Sequence, residues 1–89
     1  MKNILFWENK EPDFINELGV KWWIDHDTMK FTKLNNKYQI FVINNNDMIT
    51  RVITDNEKQT IVYESQQLEA IGAFCDILNF METDKYKNT

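Results

Sequence analysis

The residues able to do chemistry in this chain are few and far apart. Asp25-His26-Asp27 is the one cluster that suggests a metal or a general base. A carboxylate beside a histidine can orient the ring of a metal-bound imidazole. Adjacent residues of one turn, however, do not aim at one ion, and no second histidine or cysteine pair supplies the remaining ligands. The triplet therefore reads as a polar turn, and no metal is expected. His26 and Cys75 are each the single copy of their type, which leaves no Ser/His/Asp or Cys/His arrangement for nucleophilic catalysis. The only glycines, Gly19 and Gly72, are too distant from each other for a phosphate-cradling loop. Glu82 and Asp84 form a carboxylate pair in a C-terminal stretch expected to fray. The expectation is no enzyme and no cofactor.

Basic residues interleaved with aromatics raise a second chemistry, the stacking of unpaired bases. Lys30, Lys33, Lys37 and Arg51 fall near Phe31, Tyr38 and Phe41, and aromatics on a sheet with flanking bases serve several single-strand binders. The chain is acidic overall, with a pI near 4.8, and its bases alternate between strand faces. Single-stranded nucleic-acid binding is thus the weaker alternative.

Eighty-nine residues make one domain, which buries about 60% of the surface its unfolded chain exposes. Hydrophobic residues at 43% and charged residues at 27% argue for a folded globular chain. The single cysteine excludes an internal disulfide and points to a reducing compartment. The only early apolar run, residues 4–7, is too short for a secretory core or a membrane span. A cytoplasmic protein without membrane attachment is expected.

Net charge is −4, unevenly spread. Residues 59–84 contain no base, while Glu64, Glu69, Asp76, Glu82 and Asp84 are acidic. Such asymmetry steers a protein toward a basic partner surface rather than toward nucleic acid.

The element around which the rest is organised is residues 65–81, SQQLEAIGAFCDILNFM. At 100° per residue, Leu68, Ile71, Cys75 and Leu78 form one stripe, widened by Ala70, Ala73, Phe74, Ile77, Phe80 and Met81. The polar side is a narrow ribbon of Glu69, Asp76, Asn79 and Thr83, with Gly72 among them. The apolar arc exceeds the stripe a helix needs to cover one sheet, so the helix is expected to be buried on two sides or to meet a partner. Ser65 is placed as its N-cap, and Cys75 as a small core residue.

Upstream, Pro12 suits the first position of a short helix over residues 12–18, with Gly19 as the left-handed residue after its end. Residues 1–11 hold a short apolar run suited to an edge strand, and residues 20–24 read as a strand or extended lead-in. Strand character then recurs at 29–34, 37–43, 48–54 and 59–64, separated by Asn- and Asp-rich turns. The fold class is α+β: a short N-terminal helix, an antiparallel meander of four to five strands, and a C-terminal amphipathic helix on one sheet face. The domain spans residues 1–81, and 82–89 form a frayed tail.

Simple loop lengths set Ile40 opposite Arg51 and Arg51 opposite Val62. One face then carries Phe31, Lys33, Tyr38, Ile40, Arg51 and Ile53; the other carries Phe41, Val52, Ile61 and Tyr63. A guanidinium in a dry core needs a paired acid to offset desolvation, so the helix is expected on the face away from Arg51. A one-residue bulge would invert this assignment. Both faces are apolar, which leaves oily surface for a homodimer or a target to cover.

The expected function is non-enzymatic protein binding. The candidate contact residues are Trp22, Phe31, Lys33, Tyr38 and Arg51, with the acidic residues Glu69, Asp76, Glu82 and Asp84. Trp22-Trp23 points its rings to opposite faces, one to the core and the other either packed under the N-terminal helix or free to anchor an interface. In profile, compact, acidic and without catalytic chemistry, the chain is loosely similar to small phage-encoded inhibitors of host or defence proteins. Some of these present carboxylates where a target expects phosphates. That similarity implies a basic or nucleic-acid-binding protein surface as partner. A homodimeric accessory module is the other alternative.

Overall fold

The computed structural model describes residues 10–45 and 48–82. The expected strand in residues 1–11 and the expected tail over 82–89 fall largely outside these, and Asp84 wholly. The order of elements is β1 (Phe14–Ile15), β2 (Lys21–Ile24), α1 (His26–Thr32), β3 (Tyr38–Asn45), β4 (Met48–Asp55), β5 (Thr60–Ser65) and α2 (Leu68–Met81). The strands form one antiparallel sheet in the order β1-β2-β3-β4-β5, so each strand lies beside its neighbour in sequence. The α+β class, the meander and the C-terminal helix are as the sequence implies. Among the described residues, no helix is long and apolar enough to cross a membrane.

Two elements differ. Residues 12–18 do not form a helix: Phe14 and Ile15 pair with Trp22 and Lys21 as an edge strand. The connecting turn is held by Asn16, whose Oδ1 accepts from the backbone N–H of Leu18 and of Val20. Gly19 does take a positive φ of 80°, but in this hairpin turn rather than after a helix. Docking on the edge of β2 satisfies backbone groups that a two-turn helix would have left to marginal local bonding.

Residues 29–34 are not a strand but largely the second half of α1. Asp25 caps this helix: its Oδ1 accepts from Thr28 N–H at 3.0 Å and its Oδ2 from the Thr28 hydroxyl at 2.7 Å. The triplet expected as a plain turn is therefore a helix start, with Asp27 in the first turn. Lys33 ends it in the left-handed conformation, φ 58°. Seven residues are too few to hold a helix alone. Met29 and the following Leu34 pack into the core, and Asn79 of α2 donates its Nδ2–H to the carbonyl of Thr32 at 2.7 Å.

The C-terminal helix begins at Leu68, later than expected, because Ser65 is still in the sheet opposite Arg51. The Ser65 hydroxyl accepts from Gln67 N–H at 3.0 Å, closing the turn into the helix instead of capping it. Ile71, Cys75 and Leu78 of α2 pack with Ile40, Ile53 and Leu34 as the main core.

Register decides which sheet face this core uses. Val42, not Ile40, is opposite Arg51, because the β3–β4 turn is two residues shorter than expected: Asn45 pairs with Met48. A shift of two keeps Ile40, Val42, Arg51 and Ile53 on one face. That face, not the other, lies under α2. In β5 an irregularity at Ile53/Thr54 brings Tyr63 opposite Ile53, and its ring stacks on Phe74 of α2 at 4.4 Å. The helix covers the arginine-bearing face because the required acid is present there: Arg51 Nε donates to Asp25 Oδ2 at 3.0 Å.

Candidate interaction surface

The sequence places nine candidate contact residues, and the structure separates the eight that it describes. Phe31 and Lys33 belong to α1 and its cap, so they share no sheet face with Tyr38 and Arg51. Tyr38 is half-buried against the core. Arg51 is ion-paired with Asp25, whose carboxylate is buried. Trp22 lies on the opposite face of the sheet, edge-to-face with Phe14 at 5.5 Å and Phe41 at 5.3 Å. Glu69 and Asp76 share one exposed flank of α2, two turns apart. Glu82 follows the helix and turns toward Lys37, 4.0 Å away, an exposed pair of little energetic weight. Among the described residues, Glu82 therefore does not continue the flank of Glu69 and Asp76.

What the structure does bring together is Phe31 of α1 with Leu68, Glu69 and Gly72 of α2. They line a cavity of about 490 Å³ between the two helices. Phe31 is 78% exposed and Leu68 49% exposed, so the walls are apolar and open. The charged residues of the lining are both acidic, Asp27 and Glu69. Thr28 and Thr32 also face the cavity, but their hydroxyls already donate, to Asp25 Oδ2 and to the carbonyl of Thr28. The groove therefore offers oily contact and negative charge, with little neutral hydrogen bonding.

Gly72 forms part of its wall. A Cβ built there meets no atom within 4 Å, and its φ lies outside the left-handed range. Neither packing nor backbone geometry within the chain calls for glycine, which costs about 1 kcal/mol against alanine inside a helix. Beyond Glu69 and Asp76, further round α2, Ala73, Ile77 and Met81 continue an exposed apolar stripe directed away from the core. The surplus apolar arc read from the sequence is real. Ile71, Cys75 and Leu78 face inward with Phe74 packed beside them, while Leu68, Ala73, Ile77, Phe80 and Met81 are exposed.

The remaining reactive groups stand apart. His26 is exposed at the first position of α1. Cys75 is fully buried, and burial pushes its thiol pKa up, opposed by a hydrogen bond with Thr32. Among the described residues, no three of His, Cys, Asp and Glu gather where they could hold a metal ion.

Phe31 and Glu69 were legible in the sequence as contact candidates, but not as neighbours. Gly72 was missed; its signal was an unexplained glycine in the middle of a helical pattern. No family model, no curated protein and no solved structure matches this chain.

Proposed function

We propose that this chain is a small non-enzymatic protein-binding module that uses its helical side. The partner presents a basic segment carrying an apolar anchor residue. The observation that carries this reading is the acid-rimmed groove between α1 and α2, with Phe31 exposed on one wall and Gly72 left open on the other. An apolar side chain entering the groove removes oily surface from water, and a neighbouring Lys or Arg meets Asp27 and Glu69. The absence of any base from residues 59–84 extends the same negative field along α2. The inhibitor profile noted from the sequence is one version of this reading, in which the basic segment belongs to a nucleic-acid-binding protein.

Placement weakens the nucleic-acid alternative. The sheet face turned away from α2 holds the aromatic residues Phe14, Trp22 and Phe41, but no Lys or Arg of the strands shares that face. Single-strand binders need both.

Selection of a displayed random-peptide library on the purified chain tests the proposal. Peptides pairing Lys or Arg with an aromatic or aliphatic anchor are expected to be enriched. Their binding should weaken with rising salt and fall at least tenfold in Gly72→Leu and in Glu69→Lys. A selection without enriched sequences, or peptides indifferent to both substitutions, would overturn it.

A further inference from the structure

β5 is the last strand of the sheet, and among the described residues no strand lies beyond it. Its outward backbone N–H and C=O groups therefore have no further ladder to join. Edge strands are commonly blunted by lysine or proline; β5 has neither, and Glu64 is its one charge. Val62, near its middle, is 37% exposed and is paired with no residue of β4.

The flank of α2 above this edge is equally bare. Gly72 and Asn79 turn toward α1, where Gly72 lines the groove and Asn79 donates to the carbonyl of Thr32. Ala70, Phe74, Ile77 and Met81 fall within about 60° of arc on the opposite flank. Phe74 marks it as the β5 side, by its stack on Tyr63. Ile77 is 53% exposed and Met81 43%. Glu69 and Asp76 lie roughly a third of a turn from the centre of this flank, so it carries no charge.

The geometry points to a second copy of this chain on this side, joined about a two-fold axis normal to the sheet. Such an axis runs β5 antiparallel to the partner's β5 and sets α2 beside the partner's α2. One axis serves both layers, because the Tyr63–Phe74 stack places the middle of β5 under the middle of α2. Spacing agrees. α2 packs on Ile53 of β4 and on Tyr63 of β5, so it lies over the line between these strands. With strands ~4.8 Å apart, that line runs ~4.8 Å from the two-fold axis. The two helices are then ~10 Å apart, at the upper end of the roughly 8–10 Å of packed helices.

The occupant must match both layers at once. A foreign strand would complete the edge and leave Ile77 and Met81 in water; a foreign helix would do the reverse. This chain carries both surfaces in the required order. Their near-neutrality also spares two copies of net charge −4 a like-charge contact. Two layers ~10 Å thick and ~20 Å long give a flat footprint on the order of 400 Å² per copy. The pair thus approaches the ~1,000 Å² of a specific interface. The α1–α2 groove opens on the other flank of α2, so the dimer does not depend on its proposed role.

Light scattering coupled to size exclusion tests the inference at tens to hundreds of micromolar protein. The expected mass is twice the 10.7 kDa of the chain. Ile77→Lys and Val62→Lys should each give a monomer with unchanged far-UV circular dichroism. Ile15→Lys, at the opposite edge of the sheet, should leave the dimer intact. Hydrogen exchange gives a second reading: β5 amides should slow as the wild type is concentrated, and β1 amides should not. A wild-type monomer would overturn the proposal, as would a dimer that Ile15→Lys dissociates and Ile77→Lys does not. A dimer whose β5 amides gain no protection overturns it too. So does a monomer whose β5 amides slow only with an added peptide, which assigns the edge to a foreign strand. Should the lysine variants fail to fold, mass and exchange of the wild type across a hundredfold dilution decide. Peptide binding by monomeric Ile77→Lys separates this outcome from that of the groove.

Discussion

Arg51 on β4 donates its Nε–H to Oδ2 of Asp25, at the junction of β2 and α1, across 3.0 Å and 26 positions of sequence. The same carboxylate caps α1 through Thr28. One buried acid thus neutralises the cation on the helix-covered face and starts the helix that flanks it.

Removing that charge should be costly, because it takes the buried carboxylate from beside the guanidinium. Asp25→Asn keeps an oxygen for the cap but loses the ion pair. A loss of about 3 kcal/mol is expected, read as a lower urea midpoint with unchanged slope. The double variant Asp25→Asn/Arg51→Met should lose less than Asp25→Asn alone. Equal losses would mean that the pair is not the source of the penalty.

Gly72→Ala should stabilise the fold. The added methyl meets open space, and the helix gains about 0.5–1 kcal/mol from alanine. Chemical denaturation checks it. A loss of stability would mean that Gly72 is needed by the chain itself, which removes the reason to assign it to a partner.

Lys33 and Gln59 take positive φ values of 58° and 54°, where a Cβ is strained. Lys33→Gly and Gln59→Gly should each raise stability by about 0.5 kcal/mol, the relief exceeding the added freedom of the unfolded chain. Thermal melts of the two single variants test this.

Cys75 makes a signed prediction about pH. Burial raises its thiol pKa in the folded state, so the folded chain holds this proton after the unfolded chain has released it. The associated stability is complete below the unfolded thiol pKa, about 8.5, and is lost as pH climbs through the higher folded value. Cys75→Ala should flatten the decline of stability in that alkaline range. Native Cys75 should also label with a thiol reagent only as fast as the protein opens, with rates rising in denaturant.

Much of the architecture could be read without coordinates, because it depends on local pattern. Alternation and Asn/Asp turns located β3, β4 and β5 within a residue or two, and the apolar period of residues 68–81 located α2. The short segments 29–34 and 12–18 were harder. In 29–34, strand-like composition was overridden by the Asp25 cap and by docking of Met29 and Leu34. In 12–18, a helix-like start gave way to the free edge of β2. The candidate site suffered most, since Phe31 reaches Leu68 and Gly72 only once α1 is a helix.

The sequence by itself determined that this is an acidic α+β chain whose helix over residues 68–81 carries more apolar arc than one sheet can cover. Those are properties of composition and periodicity, and they survive any rearrangement in space. The tertiary structure alone decided which sheet face the helix covers and which apolar surfaces stay open. That choice turns on a two-residue register shift, one β irregularity and an ion pair spanning 26 positions. Each couples residues distant in sequence, and no local pattern encodes such a coupling.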